Sequence, residues 1–413
     1  MELTIDKLGG LGDGLVHQDG MLYLVPKTCA GDRVRVEFTR KQKDLTHAKL
    51  VELLAPGPDR LSAPCPYFDA CGGCQIQHIS AQAYTAFKTG IAQNAIRKAG
   101  YNPALLQPML PMPVASRRRA ELRIEGSRIG YFEAQSHRLT SIDQCLILAK
   151  PLQQWLAAFH ALLPDYNWDN QIEGVAVTLT DSGIDMLLEL TGKPALERLE
   201  QLAEILHVAR LCYRLGPQIT TVAERRPVTI QVGKASIPLK PGMFLQASRE
   251  SQQAITQEVL KGLEGARRII DLFSGIGTYS FPAADKAKLH AVEGDAGMVK
   301  AIQTAAKALG WQSRITAETR DLFRTPVPPH QLKTYDAAII NPPRAGAKAQ
   351  AEMLAKAKLP RLIMVSCNPA SFARDAAILR EGGYQLTTAL PVDQFVYSSH
   401  LEIIAAFRHT GAS

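Results

Sequence analysis

The sequence predicts a multidomain protein that joins a small all-β barrel, an α+β central domain and a Rossmann-like, doubly wound α/β domain. Three observations support this fold class. The first 56 residues hold short β-type runs separated by glycines, the region from about 115 to 240 mixes strands with helical stretches, and strands and helices alternate after about 250. A chain of 413 residues is long enough for two or three hydrophobic cores.

Proline-rich sequence separates the first unit from the second. Strand-like runs such as GMLYLVP and DRVRVEF precede the segment LLAPGPDRLSAPCP, whose prolines interrupt regular structure. We predict a barrel over residues 1–56, a central domain over residues 57–75 and 109–240, and the α/β domain over residues 76–108 and 241–413. No internal repeat is evident.

A helix is predicted between Ser80 and Gly100, because apolar residues recur there at helical spacing. Tyr84, Phe87 and Ile91 lie on the apolar face of that pattern, together with Ala95. The expected role of this helix is packing, with the glycine as its stop.

Composition narrows the class of protein. The chain has 47 Lys and Arg against 39 Asp and Glu, a formal charge of +8 that is compatible with a polyanionic partner. It has no run of 18 apolar residues, and MELTIDKL lacks the features of a signal peptide, so we expect a cytoplasmic protein with no membrane partner. Seven cysteines in such a chain make a disulfide framework improbable and direct attention to metal binding or catalysis.

The α/β domain positions several motifs at strand ends. ARRIIDLF, KLHAVEG, TYDAAIIN and RLIMVSC are apolar runs typical of buried parallel strands, and HLEIIAAF closes the series. Ligands of doubly wound sheets bind beyond the carboxyl ends of the strands. Cys367 follows one of these ends, so it belongs to the edge where a ligand is expected.

The stretch DLFSGIGTYSFPAA contains a strand, a turn with Gly275 and Gly277, and a helix. Such a turn lets the backbone approach a ligand, although a bare GxG is equally compatible with a simple turn. Glu293 ends the next strand and could accept both ribose hydroxyls of a nucleoside, and Asp321 could meet an adenine amino group. Either acid could instead be a helix N-cap. Together these features favour S-adenosylmethionine over NAD.

The neighbours of Cys367 indicate a reaction. A thiol at a helix N-terminus is expected to have a lowered pKa, although a lone cysteine there is often only a packed residue. Asn341 ends the strand that precedes two rigid prolines, and Glu402 heads the last apolar run. A thiolate that adds to C6 of a pyrimidine makes C5 nucleophilic towards a methyl donor, and a base must then remove the C5 proton. Glu402 is the candidate base, its alternative being an exposed acid on an edge strand.

With these motifs identified, the chain resembles the RNA uracil-5 methyltransferases that carry an N-terminal TRAM domain and a four-cysteine iron–sulfur cluster. The resemblance covers nearly the whole length, and its motifs occur in order: LGGLGDGLVHQDGMLYLVP, CPYFDACGGC, FLQAS, DLFSGIGT, NPPR, SCNP and HLE. It implies an OB-like barrel, a central domain with the cluster, and a methyltransferase domain.

The resemblance also implies roles for individual residues. It makes Cys367 the nucleophile and Glu402 the base that takes the C5 proton, and it places Phe244 and Gln246 near the target base. The cofactor-binding residues that it implies are Gln246, Phe273, Thr278, Glu293, Asp321 and Asn341. Three positions depart from the family pattern: Asn341 stands where many members have Asp, Ser248 where many have Asn, and Ser274 where many have Cys. An amide at position 341 can still accept the uracil N3 proton.

Four cysteines form a separate candidate metal site: Cys65, Cys71, Cys74 and Cys145. Four thiolates suit either zinc or a 4Fe-4S cluster, and the resemblance implies the cluster. Cys29 and Cys212 remain as structural residues. The run from Arg117 to Arg119 and the barrel surface are candidates for RNA contact, although three consecutive arginines on a strand cannot all face one way.

The favoured function is therefore formation of 5-methyluridine in 23S rRNA by a monomeric enzyme, with a tRNA loop as the alternative substrate. The target base must leave its stack to reach Cys367. Cytosine-5 methylation usually needs two active-site cysteines, and only Cys367 is suitably placed. A non-enzymatic alternative is an iron–sulfur RNA-binding protein with a vestigial methyltransferase fold.

Overall fold

The structure is a computed structural model that describes residues 1–134, 136–164 and 171–411. Within these residues three larger β-sheets and one hairpin follow each other along the chain. No helix in the described ranges is long and apolar enough to cross a membrane.

The N-terminal unit is a six-stranded sheet of strand order β1-β5-β6-β4-β3-β2. Its strands are β1 Glu2–Thr4, β2 Lys7–Leu8, β3 Gly14–Gln18, β4 Met21–Val25, β5 Arg33–Lys41 and β6 Leu45–Ala55. The two edge strands, β1 and β2, are separated by only two residues, a span of about 10 Å at most. This short connection keeps the two edge strands near each other, and the sheet packs around a small core that includes Val25 and Val34.

Helix α1, Ala81–Lys98, follows the barrel and packs against the C-terminal part of the chain. Ser80 caps it by accepting a hydrogen bond from the backbone N–H of Ala83. The predicted face is the one that packs: Ala95 is buried, and Tyr84, Phe87 and Ile91 are partly buried against core clusters. The pattern does not reveal that Lys88, on the same side of the helix, is fully buried, and the reason is an ion pair described below.

The central unit is a seven-stranded mixed sheet of order β13-β12-β11-β10-β7-β8-β9. Its elements are β7 Arg119–Glu125, β8 Arg128–Phe132, β9 Leu139–Ser141, α2 Lys150–Leu162, β10 Ile172–Thr180, β11 Gly183–Leu190, α3 Leu196–Ile205, β12 Arg210–Leu215 and β13 Gln218–Glu224. Both helices contribute apolar side chains to the core of this unit, among them Trp155 and Phe159 from α2 and Leu202 from α3.

The C-terminal unit begins with the hairpin of β14 and β15, whose apolar residues share a core with the strands that follow. Its elements are β14 Thr229–Val232, β15 Ala235–Pro238, α4 Arg249–Gly262, β16 Arg268–Leu272, α5 Ser280–Ala283, β17 Lys288–Glu293, α6 Ala296–Ala308, β18 Ile315–Thr319, α7 Pro329–Leu332, β19 Ala337–Ile340, α8 Lys348–Ala357, β20 Arg361–Ser366, α9 Pro369–Glu381, β21 Tyr384–Val392 and β22 Glu402–His409. The sheet order is β18-β17-β16-β19-β20-β22-β21, with β16 to β20 parallel. This is the predicted doubly wound, mostly parallel arrangement.

The last strand of the chain runs antiparallel and determines the site. β22 lies between β20 and β21, and Ser366 of β20 pairs with Ile403 of β22. Because β22 runs the other way, its first residue, Glu402, lies at the edge where β20 ends. The residue after Ser366 is Cys367, so the ladder brings the thiol and the carboxyl group together at neighbouring strand ends, about 5 Å apart in strand spacing.

Candidate active site

A cavity of about 620 Å³ opens at the carboxyl edge of the C-terminal sheet. Its walls include every residue that the sequence analysis assigned to catalysis or cofactor binding: Cys367, Glu402, Gln246, Phe273, Thr278, Glu293, Asp321 and Asn341. These residues come from the ends of different strands and from the segment before α4, and the fold brings them to one site.

The glycine turn forms one wall of this cavity. Between β16 and α5 the backbone takes positive φ at Phe273 (60°), Gly275 (57°) and Gly277 (84°). A Cβ at Gly277 would come within 3.1 Å of the Phe281 ring, so both backbone conformation and space favour glycine there. Phe273 packs against Phe323 with ring centroids 5.4 Å apart, which places two aromatic rings beside the turn.

The two acids differ in their surroundings. Glu293 Oε2 accepts a hydrogen bond from the Gly275 N–H at 2.9 Å, and its Oε1 accepts one from the Asp295 N–H at 3.0 Å. Each carboxylate oxygen can accept a further bond, so a ligand's hydroxyls could still bind. Asp321 caps the turn after β18 by accepting from the Phe323 N–H at 3.0 Å, which is the capping role that the sequence left open. It lines the cavity as well.

The segment before α4 is held by the arginine run. Arg118 is buried, and its Nε donates to the Gln246 backbone oxygen at 2.8 Å. Arg117 and Arg119 line the cavity instead, and the Arg119 guanidinium lies 5.6 Å from the centroid of the Phe244 ring. The alternation expected for a strand thus divides the run into one structural arginine and two that face the site. Phe244 remains 57% exposed, as an aromatic surface open to a ligand.

Gln246 forms part of the cavity floor. It is buried, and its Nε2 donates to the hydroxyl of Tyr279 at 3.2 Å. Tyr279 is itself buried, and burial raises its pKa well above the usual range, so the phenol is neutral. The two side chains form a neutral polar pair, of which Gln246 lines the cavity.

The pKa of the Cys367 thiol differs from the one that the sequence predicts. Burial raises the pKa of Cys367 to about 11, the charge of Glu402 adds to this rise, and the Arg344 guanidinium opposes it. The prediction of a lowered pKa is therefore wrong for the free protein. Helix α9 begins after Asn368, whose side chain accepts from the Ala370 N–H at 3.0 Å. A backbone N–H hydrogen bond to the thiol also lowers its pKa, but burial has the larger effect.

Glu402 is an interior residue and not an exposed acid on an edge strand. It is 2% exposed, and burial alone raises its pKa to about 8. A carboxyl group with that pKa can take and release a proton near neutral pH. Its one hydrogen bond from the described residues comes from Gln394, whose Nε2 donates to Oε2 at 3.0 Å.

A second cavity, of about 260 Å³, is lined by Cys65, Cys71, Cys74 and Cys145. Burial raises the pKa of Cys74 to about 11 and that of Cys145 to about 12. Gly72 lies against the end of β8, where a Cβ would stand 2.5 Å from the Phe132 oxygen. Gly72 therefore lets the cysteine loop approach the central sheet closely.

The donor set of this cavity suits a metal cluster, since four thiols that deprotonate on binding are the usual ligands of 4Fe-4S centres. The described residues nevertheless contain no group of three or more His, Cys, Asp or Glu side chains arranged to hold a metal ion. A single zinc ion would draw four sulfurs to within about 3.8 Å of each other. The iron–sulfur assignment remains a prediction.

Several residues of the site escaped the sequence analysis. Gln394 and Phe395 lie in the loop between β21 and β22, and Tyr131 and Arg344 line both cavities. Neither loop residue had a spacing or motif to mark it. The one available clue was the polar pair DQ in the otherwise apolar run ALPVDQFV.

Comparisons with known proteins agree with this geometry. The family described as tRNA (Uracil-5-)-methyltransferase matches residues 257–408. An RNA methyltransferase of Brucella suis is 34% identical over 412 residues, covering 98% of this chain and 97% of its own. The 23S rRNA (uracil(1939)-C(5))-methyltransferase RlmD of Vibrio vulnificus is 28% identical, covering 98% and 95%.

A solved structure has the same fold. The tRNA (uracil-54, C5)-methyltransferase of Pyrococcus abyssi, in complex with S-adenosyl-L-homocysteine, superposes with a TM-score of 0.78 at 19% identity. It covers 98% of this chain, and all of that chain is matched.

The sheet, the glycine turn and the cavity at the strand ends are those of a class I, S-adenosylmethionine-dependent methyltransferase. The relatives define the family more closely. The chain belongs to the RNA uracil-5-methyltransferase family.

Proposed function

We propose that this enzyme methylates C5 of one uridine in 23S rRNA, with Cys367 as nucleophile and Glu402 as base. The observation that carries the proposal is the β20–β22 register, which supports a thiol and a buried carboxyl group acting on one base. Similarity to RlmD over nearly the full length favours 23S rRNA. The family description and the fold of the Pyrococcus enzyme make a tRNA uridine the second candidate.

The chemistry assigns one task to each group. Cys367 loses its proton to solvent and bonds through Sγ to C6, and the C5–C6 electron pair moves towards the C4 carbonyl oxygen, giving an enolate whose C5 is nucleophilic. S-adenosylmethionine, when bound, supplies an electrophilic methyl group and leaves as S-adenosylhomocysteine. Glu402 then takes the C5 proton, the C5–C6 double bond forms again, and the thiolate departs. Asn341 is proposed to accept a hydrogen bond from the uracil N3–H through its amide oxygen.

The cofactor would bind beside the glycine turn. Glu293 would accept the ribose hydroxyls, and the Phe273 ring would pack against the adenosine, with Thr278 and Asp321 completing the wall. We also propose that Cys65, Cys71, Cys74 and Cys145 hold a 4Fe-4S cluster, that the N-terminal sheet is a TRAM domain, and that the enzyme acts as a monomer in the cytoplasm.

The target is tested by mass-spectrometric mapping of 5-methyluridine in ribosomal and transfer RNA from a deletion strain. We expect loss of one 5-methyluridine from 23S rRNA, restored by the wild-type gene but not by Cys367→Ala. Loss from tRNA alone would establish the second candidate, and unchanged RNA would refute both.

The roles of the thiol and the base are tested with purified protein. RNA carrying 5-fluorouracil should trap a covalent adduct, since fluorine cannot leave as a proton. Its persistence in Cys367→Ala would disprove the nucleophile assignment. With ordinary RNA, Glu402→Gln should accumulate a methylated adduct, and normal turnover in that variant would refute the base assignment.

A further inference from the structure

A short chain of buried hydrogen bonds reaches Glu402 from helix α4. Ser251 in the first turn of α4 has no exposed surface, and its hydroxyl donates to Gln394 Oε1 at 2.7 Å. The Gln394 Nε2 donates to Glu402 Oε2 at 3.0 Å. Residues 143 positions apart in the sequence are therefore joined behind the carboxyl group.

The available donors fix the direction of this series of hydrogen bonds. Ser248 Oγ donates to Ser251 Oγ at 2.9 Å. The single hydroxyl proton of Ser251 has two acceptors within reach, and Gln394 Oε1 at 2.7 Å is nearer than the Ser248 backbone oxygen at 3.1 Å. With its oxygen engaged by Ser251, the Gln394 amide presents its NH₂ group to Glu402. An amide in the opposite orientation would set an oxygen against the carboxylate.

The two carboxylate oxygens of Glu402 therefore have different surroundings. Oε2 receives the amide N–H, a bond that stabilises the carboxylate form in a buried setting. Oε1 receives no hydrogen bond from any residue that the structure describes, and Glu402 lines the cavity where Cys367 lies. One oxygen is thus fixed and the other is available to a proton.

We propose that Gln394 and Ser251 are positioning residues that hold Oε2 of Glu402 and direct Oε1 towards the C5 proton of the substrate. This inference rests on the proposed function. In the step that they assist, Oε1 takes the proton, the C5–H electron pair forms the C5–C6 double bond, and the C6–Sγ pair returns to Cys367.

The loop that carries Gln394 does not depend on its side chain. Asp393, next to it, is paired with the buried Lys88 and accepts a hydrogen bond from the Tyr84 hydroxyl at 2.7 Å. The Lys88 ammonium also donates to the backbone oxygens of Phe395 (2.9 Å) and His400 (2.7 Å). Removing the Gln394 amide should leave the loop in place, and the Ser251 hydroxyl can turn to the Ser248 oxygen at 3.1 Å.

The experiment follows formation and decay of the covalent adduct on ordinary RNA in single turnovers across pH, using the full chain. In Gln394→Leu we expect adduct formation at the wild-type rate and decay slower on the order of tenfold near neutral pH. The acidic limb of the decay profile should move to higher pH by about one unit, because the carboxylate has lost its donor. Ser251→Ala should show a smaller shift in the same direction.

Thr256→Ala is the matched control, since Thr256 lies on the same helix and its hydroxyl bonds to the Gln252 backbone oxygen. It should match the wild type. An unmoved acidic limb in both Gln394→Leu and Ser251→Ala, or loss of adduct formation in both, would overturn the inference. The proposed function fails separately: if Glu402→Gln traps no adduct, the base assignment falls, whereas trapping in Glu402→Gln without a shift in the other variants rejects only the positioning role.

Discussion

The cavity that holds Cys367 and Glu402 (the catalytic cavity) and the cavity lined by Cys65, Cys71, Cys74 and Cys145 (the cysteine cavity) share a wall but differ in how they are built. Arg117, Tyr131, Arg344 and Phe395 line both. The catalytic cavity collects different groups at the ends of regular strands, so a thiol, a carboxyl group and amides meet there. The cysteine cavity collects four identical groups, carried mostly by loops outside the strands and helices.

This difference shows how one fold handles buried thiols for two purposes. Burial raises the pKa of Cys367 and also that of Cys74 and Cys145. Beside Cys367, the charges of Arg344 and Glu402 act in opposite directions, so its reactivity depends on its neighbours. In the other cavity the cysteines raise one another's pKa, while the charges of Lys27 and Arg117 lower it at Cys71 and Cys74. A shared metal centre would relieve the repulsion among all four thiolates.

The largest expected effect comes from exchanging one thiol in each cavity. Cys367→Ser should lower methylation by about 10³-fold or more, since a hydroxyl is a far weaker nucleophile, while leaving bound iron unchanged. Cys71→Ser should remove the visible absorbance of the cluster and lower the melting temperature. Iron and sulfide analysis together with the methylation assay distinguishes the two.

Cys212→Ser is the control for this pair, because Cys212 is buried in β12 and lines neither cavity. It should keep both activity and iron. Full iron content in Cys71→Ser, or zinc in place of iron in the wild type, would contradict the cluster assignment.

The next largest effect concerns the loop between β21 and β22, which contributes to the wall that the two cavities share. Lys88 and Asp393 form a buried ion pair that fixes the loop between β21 and β22, and this loop borders both cavities. Lys88→Met should lower the free energy of unfolding by about 3–5 kcal/mol, because it leaves a buried carboxylate without its partner. Urea denaturation measures this. Lys98→Met, an exposed lysine on the same helix, should change stability little, and equal losses in both variants would refute the role of the pair.

The residues at strand ends could be predicted, because ligands of parallel α/β sheets bind beyond the carboxyl ends of the strands. The apolar runs located β16, β17, β19 and β20, and their ends located the glycine turn, Glu293, Asn341 and Cys367. What the pattern does not contain is the direction of the last strand, and it is the antiparallel β22 that brings Glu402 to Cys367.

Buried polar contacts were not predictable, because they depend on partners far away in the chain. The hydrophobic pattern of α1 located its packed face but not the buried Lys88, whose partner Asp393 lies 305 residues away. Gln394 likewise depends on Ser251 and Glu402. The prediction of a lowered pKa for Cys367 was wrong for the same reason: its position at a helix N-terminus is visible in the sequence, but its burial and the neighbouring Glu402 are not.

A smaller effect should separate catalysis from stability at Glu402. Burial raises its folded-state pKa from 4.5 to about 8, so between these values the folded protein holds a proton that the unfolded chain has released. Wild-type stability should therefore fall as pH rises from about 5 to about 8. Glu402→Gln removes this loss, and its advantage in unfolding free energy should grow on the order of 2 kcal/mol over that range.

Urea denaturation at a series of pH values measures the difference, and Glu381→Gln, an exposed glutamate at the end of α9, controls for the substitution. A pH-independent difference between Glu402→Gln and the wild type would mean that Glu402 is not held in a low-dielectric site.

The smallest effect concerns Arg344, whose charged side chain lines both cavities. Arg344 is exposed, and its guanidinium lowers the pKa of Cys367 against the larger effect of burial. Arg344→Gln should therefore shift the pH profile of adduct formation to higher pH by about half a unit, and added salt should reduce the shift because exposed charges are screened. Arg344→Lys keeps the charge and should keep the profile. If Arg344→Gln slows adduct formation equally at every pH and salt concentration, the residue acts by contact with RNA, and the thiol is tuned by burial and Glu402 alone.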